Sequence, residues 1–559
     1  MKEPIIFCDL KSRVISGTIS PSGWRAVDYE IGDYKGNMLL ARKGSDAGAM
    51  MLSLGLHGWH RIYLCLLHIE NRTTTYFKLD SDRCHYPVYS RASEKGWGPY
   101  EYVEEVFWKC ADLTGQNLTI EHHNEFSSAL VWVRCEPMSE QEVADHKEMF
   151  IGKETKRLYT YVDPGIFHDY NFKSIQEYGL MINAMADSDI RFASQDVSLQ
   201  YTGYESEEET ENKDAACREM VNCAHKFGIQ LYAANRMNLA NFCTPFNNHK
   251  AIRFVDEHPE FNQVNRCGKV IDGAMSYAYE AVRQYQVNWL TDRVKAGFDG
   301  VSLVFTRGIH VAFEEPVKQL FEQRYPGVNP CELPVADERL NGVWCAFMTG
   351  FMRELRVSLD ELAVRENRKK PKICVHVYYD VEGSKNFGLD VETWAREGLI
   401  DSVIQSNMTH FEDLGGCMKT DQPSVIDLEK LSEKLKTQVV LRRRHFNEVE
   451  NICKDIPKFK EIADRYHIRV YSELPWERER PSIYLDAAKR MYAAGADGIA
   501  AWDSNFRIPV LPVWNITKKL GHKEEIDRML AENDDYGNLY RVLSIDGHDI
   551  SEYHQNWRG

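Results

Sequence analysis

Carboxylates crowd the places where apolar runs end. Asp163 closes Tyr161-Val-Asp-Pro164, Asp196 follows Ser194-Gln195, and Glu473 sits in Tyr471-Ser-Glu-Leu-Pro-Trp476. Asp380 and Glu382 share Tyr378-Tyr-Asp-Val-Glu382, Glu314 and Glu315 stand together before Pro316, and Asp503 lies in Ala501-Trp-Asp-Ser-Asn505. Trp476, Trp502, Tyr378, Tyr379 and Phe313 are their neighbours in the chain. Acidic side chains are rarely buried without partners, so packing alone would not select this set. Flat rings stack on the apolar faces of sugars, and polar groups take the hydroxyls. Cleaving a glycosidic bond needs two carboxyl groups astride it, one protonated and one ionised.

Each residue also has a plain structural reading. Asp163 before Pro164 and Asp503 before Ser-Asn suit strand terminators bonded to loop amides. One of Glu314 and Glu315 suits a helix cap. Glu473 would be expensive to bury facing a core, which favours a functional role. Arg236 and Arg307 also end apolar runs, where a guanidinium either pairs with the acids or holds a substrate oxygen. His376 points to the same side of its strand as Tyr378, as a substrate hydrogen-bonder or a satisfied core group.

The elements that must position these residues alternate. Strand-like runs are read at 158–163, 190–195, 229–235, 300–306, 373–380, 401–406, 468–474 and 498–503. Helical runs are read at 172–186, 214–227, 277–296, 344–357, 391–397, 459–466 and 483–494. Eight strands alternating with helices indicate an α/β fold, a (β/α)8 TIM barrel, whose active site lies at the C-terminal ends of the strands. Two strands start after Asp-Gly, at Asp299-Gly300 and Asp497-Gly498. Residues 438–441 read as a ninth strand within an insertion, followed by the basic run Arg442-Arg-Arg-His445. That run suits a solvated face or a clamp for an anion.

The first 150 residues differ. Short β-rich runs at 5–10, 37–42, 49–56, 60–68, 73–79, 100–110, 118–122 and 129–134 argue for an N-terminal antiparallel β-sandwich, jelly-roll-like. The expected division is a sandwich at 1–150, a barrel at 151–505, and an extension at 506–559 that packs on the barrel or the sandwich. The sandwich is expected to shape the cleft or an oligomer interface. Trp24, Trp59 and Trp97 are read there as core, with sugar binding as the alternative.

Composition narrows the class. The chain has 559 residues, 11% of them aromatic, and a net charge of −16. An aromatic-rich chain can bury a core, and an acidic one is a poor partner for a phosphate backbone. No run approaches the ~20 apolar residues of a membrane span. The N-terminus has no apolar leader segment, so a cytoplasmic location is expected. Fourteen cysteines occur with no Cys-x-x-Cys pair, which makes cysteine metal sites and a disulfide scaffold poor expectations. No cofactor and no metal is expected.

Several motifs together carry a resemblance. Tyr161-Val-Asp-Pro164, Ala234-Asn-Arg-Met-Asn238, Met275-Ser-Tyr-Ala-Tyr-Glu-Ala-Val-Arg283, Asp299-Gly-Val-Ser-Leu-Val-Phe-Thr-Arg307, Phe313-Glu-Glu-Pro316 and Ala494-Gly-Ala-Asp-Gly-Ile-Ala-Ala-Trp-Asp-Ser-Asn505 resemble the glycosyl-hydrolase-like barrel proteins of environmental and gut bacteria. The resemblance covers roughly residues 155–505. It implies a (β/α)8 barrel, carbohydrate hydrolysis and a bacterial source. Many retaining barrel glycosidases place the acid/base near the end of strand four and the nucleophile at the end of strand seven. By that resemblance Glu314 or Glu315 is the acid/base and Glu473 the nucleophile. Asp163, Arg236, Arg307, His376, Asp380, Trp476, Trp502 and Asp503 would line the sugar site. Two departures are visible: Ser302 and Val304 stand where relatives often carry an acid, and Glu280-Ala281 where Pro-Glu is usual.

The expectation is a glycoside hydrolase acting on an oligosaccharide, retaining favoured. One alternative is a metal-dependent isomerase or lyase using His376, Asp380, Glu382 and His410. The other is a non-catalytic carbohydrate-binding protein.

Overall fold

The computed structural model describes residues 3–69, 73–90, 100–123, 125–150, 152, 154–163, 172, 174–198, 201–238, 252–306, 308–334, 336–407, 449–475, 479–533, 535 and 537–550. Arg307, Trp476, His410, Trp97, the strand expected at 438–441 and the run Arg442-Arg-Arg-His445 lie outside them.

Eight parallel strands close a barrel: Leu158–Val162, Ile190–Asp196, Gln230–Arg236, Gly300–Val304, Lys372–Val377, Ser402–Gln405, Arg469–Glu473 and Gly498–Ala501. All eight were expected. Side chains alternate across each strand, so every second residue enters the barrel. Tyr159, Tyr161, Phe192, Tyr232, Ala234, Val304, Cys374, Ile404, Tyr471, Ala500 and Trp502 form this inner cluster. The intervening residues, such as Leu231, Val301, Leu303, Ile373 and Val403, face the surrounding helices.

The Asp-Gly starts have a physical cause. Asp299 and Asp497 each accept the backbone N–H of the preceding strand, from Leu231 and Val470, both at 2.9 Å. Asp401 does the same for Ile373 at 2.9 Å. These carboxylates pin neighbouring strands at the bottom of the barrel. A Cβ on Gly300 would stand 2.3 Å from Lys372 O, and one on Gly498 2.1 Å from Arg157 O, so only glycine lets the strands approach.

Helix bounds differ most where caps outweigh apolar periodicity. The helix expected at 214–227 runs Glu207–Lys226, because Ser206 and Glu209 form a reciprocal capping box ahead of a polar first turn. The one expected at 344–357 runs Glu338–Arg365, with Asp337 as its cap. At 172–186 only the 3-10 turn Ile175–Gly179 and the short helix Leu180–Asn183 form among the described residues.

The β-rich part is two antiparallel sheets. The smaller contains Val14–Ser16, Met50–Ser53, Asn117–Glu121, Thr73–Leu79 and Tyr86–Ser90. The larger has nine strands, and one of its central ones comes from the other end of the chain. Asn538–Ile545 lies between Tyr102–Asp112 and Arg25–Ile31, pairing Tyr540 with Val103 and Val542 with Ile31. Tyr540 packs edge-on against Trp132 at 5.2 Å and Tyr34 at 5.6 Å. Of the tryptophans read as core, Trp24 is buried and Trp59 only partly so. The sheets also bond to the barrel: Arg83 grips Glu219 with two hydrogen bonds, and Asn515 Nδ2 donates to Phe107 O at 2.7 Å. Among the described residues no helix is long and apolar enough to cross a membrane.

Candidate active site

Inward-facing residues at the C-terminal strand ends make one connected group. Arg236, ending the third barrel strand, bonds Asp163 and stands 3.2 Å from Asp196 Oδ2. Tyr161 donates its hydroxyl to Asp196. Ser198 gives Asp196 Oδ1 its N–H at 2.9 Å and its hydroxyl at 2.6 Å. Burial pushes the Asp196 carboxyl pKa up, and the Arg236 guanidinium opposes that shift. Burial beside Asp196 also raises the Tyr161 phenol well above its ordinary value, so it stays a donor. Asp163 keeps 23% of its side-chain surface exposed and takes Asn505 Oδ1 on its own N–H at 3.1 Å.

Trp502 lies flat on Tyr161, with ring centroids 3.8 Å apart and planes at 8°. His376 meets the Trp502 ring edge-on at 5.4 Å. Its Nε2 binds the Tyr159 hydroxyl at 2.8 Å and the Ser302 hydroxyl at 2.9 Å. Asp503 turns the chain out of the last strand in the left-handed region, at φ 49°.

Glu473 ends the seventh strand, buried, opposite Ala500. Ser406 donates its hydroxyl to Glu473 Oε2 at 2.6 Å, and the Asn407 N–H reaches the same oxygen at 3.3 Å. Asn407 is held in turn by its Nδ2 bond to Leu474 O at 2.7 Å.

Glu314 and Glu315 lie elsewhere. Glu314 is fully buried in the loop after the fourth strand, where Oε1 accepts Val264 N at 3.1 Å and Oε2 accepts Ala312 N at 3.0 Å. It ties that loop to the hairpin Asn262–Val264 and Val270–Met275, and burial raises its carboxyl pKa. Glu315 opens the helix Glu315–Arg324 and bonds Gln319 on its surface at 2.9 Å. Asp380 caps the helix Val381–Asn386 through Gly383 N, while Glu382 points out to Lys458 at 3.1 Å. The possible metal ligands His376, Asp380 and Glu382 therefore do not converge.

Sequence reasoning overlooked Tyr159, Tyr161, Ser198, Ser406 and Asn407 as site residues. Counting back two and four residues from Asp163 would have found Tyr161 and Tyr159. Ser406 and Asn407 carried no signal, because they matter only through contact with Glu473, far along the chain.

Burial without charge compensation holds the His376 imidazole down to about 3, and His310 to about 4. Both are neutral in the fold, while the unfolded chain protonates them near 6.5. Their stabilisation is present above pH ~6.5 and is lost as pH falls toward the folded values. We expect the melting temperature to drop on acidification, with His376 alone costing about 3 kcal/mol by pH ~4. Calorimetry across that range checks this, and a His376→Gln variant should show a flatter acid limb.

No protein-family model and no curated protein matches the chain. Among solved structures, the catalytic domain of beta-amylase from Paenibacillus polymyxa is similar at 7% identity and TM-score 0.41, over 68% of this chain and 99% of that one. The PgaB (BpsB) glycoside hydrolase domain from Bordetella bronchiseptica gives 11% identity and TM-score 0.39, over 63% and 94%. An alpha-galactosidase from Thermus thermophilus gives 10% and 0.36, over 89% and 95%.

Proposed function

We propose that the chain hydrolyses glycosidic bonds at the C-terminal mouth of its barrel, with Glu473 as the ionised carboxylate. The observation that carries this reading is the placement of Glu473, on an inward strand end, with two donors aimed at one oxygen. Hydroxyl and amide donors orient the lone pairs of a base or nucleophile. Trp502, backed by the buried Tyr161 ring, offers its outer face to a sugar ring, and the Asp163–Arg236 pair supplies hydrogen bonds for hydroxyls.

The proton donor we assign is Asp163, because Glu314 lies away from the mouth. Asp163 belongs to the mouth and has exposed area. Glu314 has the raised pKa an acid needs, but both its oxygens are already engaged with main-chain N–H groups. Leaving-group dependence separates them. Without its acid, a glycosidase still expels a good leaving group and loses a poor one. We expect Asp163→Asn, and not Glu314→Gln, to slow unactivated oligosaccharides by ~10²-fold or more while sparing nitrophenyl glycosides.

A panel of aryl glycosides and plant or algal oligosaccharides, with product anomer followed by NMR, tests the reading as a whole. Turnover of one class supports it. Saturable sugar binding with no turnover across the panel would replace it with a binding function.

A further inference from the structure

A second cluster of chemistry-bearing side chains lies away from the barrel mouth, where the smaller sheet meets the barrel. His85 immediately precedes the strand Tyr86–Ser90, Glu121 ends Asn117–Glu121, and Glu177 lies in the 3-10 turn Ile175–Gly179 after the first barrel strand. The register pairs Tyr76 with both Glu121 and Pro87. With a two-residue period, Tyr76, Glu121, His123 and His85 therefore leave one face of the sheet, and Phe77, Ile120 and Tyr86 leave the other. The segment carrying Glu177 covers the first face, and Asn183 Nδ2 just beyond it donates to Cys84 O at 3.3 Å.

One donor atom from each of His85, Glu121 and Glu177 lies within 4.8 Å of the other two. His85 Nδ1 is 3.4 Å from Glu121 Oε2, and His123 Nε2 is 3.8 Å from the same oxygen. Only 7% of the Glu121 side chain and 14% of each imidazole are exposed. His85 Nε2 is enclosed and makes no hydrogen bond. Tyr76 stacks on His123 at 3.8 Å and fixes that ring. Lys78 is the cation close enough to act on His85.

We propose that His85, Glu121 and Glu177 bind a zinc-class dication that clamps the smaller sheet to the barrel. Imidazole nitrogen and carboxylate oxygen are zinc donors at ~2.0–2.2 Å, and donors of a tetrahedral site stand about 3.4 Å apart. His85 and Glu121 already stand 3.4 Å apart, and the donor atom of Glu177 needs to close by at most about 1.4 Å to reach that spacing. A solvent oxygen completes the tetrahedron. The site is independent of the proposed hydrolysis.

The test uses the full chain, stripped with chelator, dialysed, and titrated with Zn2+ and then with Co2+. The expected result is one zinc per chain, a raised melting temperature, and the visible absorption of four-coordinate cobalt. His85→Ala and Glu177→Gln should each weaken zinc binding at least ~10-fold and abolish the thermal shift. Glu177 is partly exposed, so its substitution leaves the fold intact even if His85→Ala does not. Failure to retain zinc with no thermal shift, or zinc binding unchanged in Glu177→Gln, would overturn the proposal.

Discussion

Glu473→Gln is expected to lower kcat by ~10²–10⁴-fold on every glycoside the wild type turns over. The substitution is nearly isosteric, so Ser406 and Asn407 keep a partner at the carbonyl oxygen and the fold should survive. It removes the negative charge and the second oxygen that a nucleophile or base requires. KM should change little, because the stacked Tyr161–Trp502 wall and the Asp163–Arg236 pair are untouched. An equal loss in kcat and kcat/KM would mark an interaction made only in the transition state. If Glu473→Gln retained more than about a tenth of the wild-type rate, the assignment would fail. An unchanged melting temperature in the same preparation shows that the loss is chemical rather than structural.

Removing residues 538–559 is expected to destroy the larger sheet rather than trim a tail. Asn538–Ile545 is bonded on both sides, so its loss opens two unpaired edges, on Tyr102–Asp112 and on Arg25–Ile31. Exposed edges of long strands recruit other chains. Trp132 and Tyr34 also lose their shared edge-on contact with the Tyr540 ring. The truncated chain should be insoluble, or should melt in two steps with the sandwich unfolding first. A synthetic peptide of residues 537–550 added during refolding should restore solubility by strand addition. A truncated chain that stays soluble with a single unchanged transition would refute this account.

The barrel was legible because its signals are local. Apolar runs alternate with amphipathic ones, and Asp-Gly starts recur at 299–300 and 497–498 where strands crowd. The positional rule for barrels then drew attention to Asp163, Asp196, Arg236, Glu473 and Trp502 from strand ends alone. Position along a strand does not say what a carboxylate touches. Glu314, in the loop after the fourth strand, and Glu473, at the end of the seventh, were paired as acid/base and nucleophile only by resemblance. In the fold, one oxygen pair is taken up by the amides of Val264 and Ala312, and the other carboxylate meets donors from the adjacent strand end.

The same contrast holds for the termini and the seam. Residues 538–545 have a strand's composition, but nothing nearby in the chain could indicate that their partners lie more than four hundred residues earlier. His85, Glu121 and Glu177 have no motif spacing, because three separate elements bring them together. Period and composition follow from local backbone geometry, so strand and helix type, inward phase and the barrel itself can be read residue by residue. Which carboxylate is enclosed, which is paired and which meets an imidazole depends on long-range register and packing, and only the folded chain sets those.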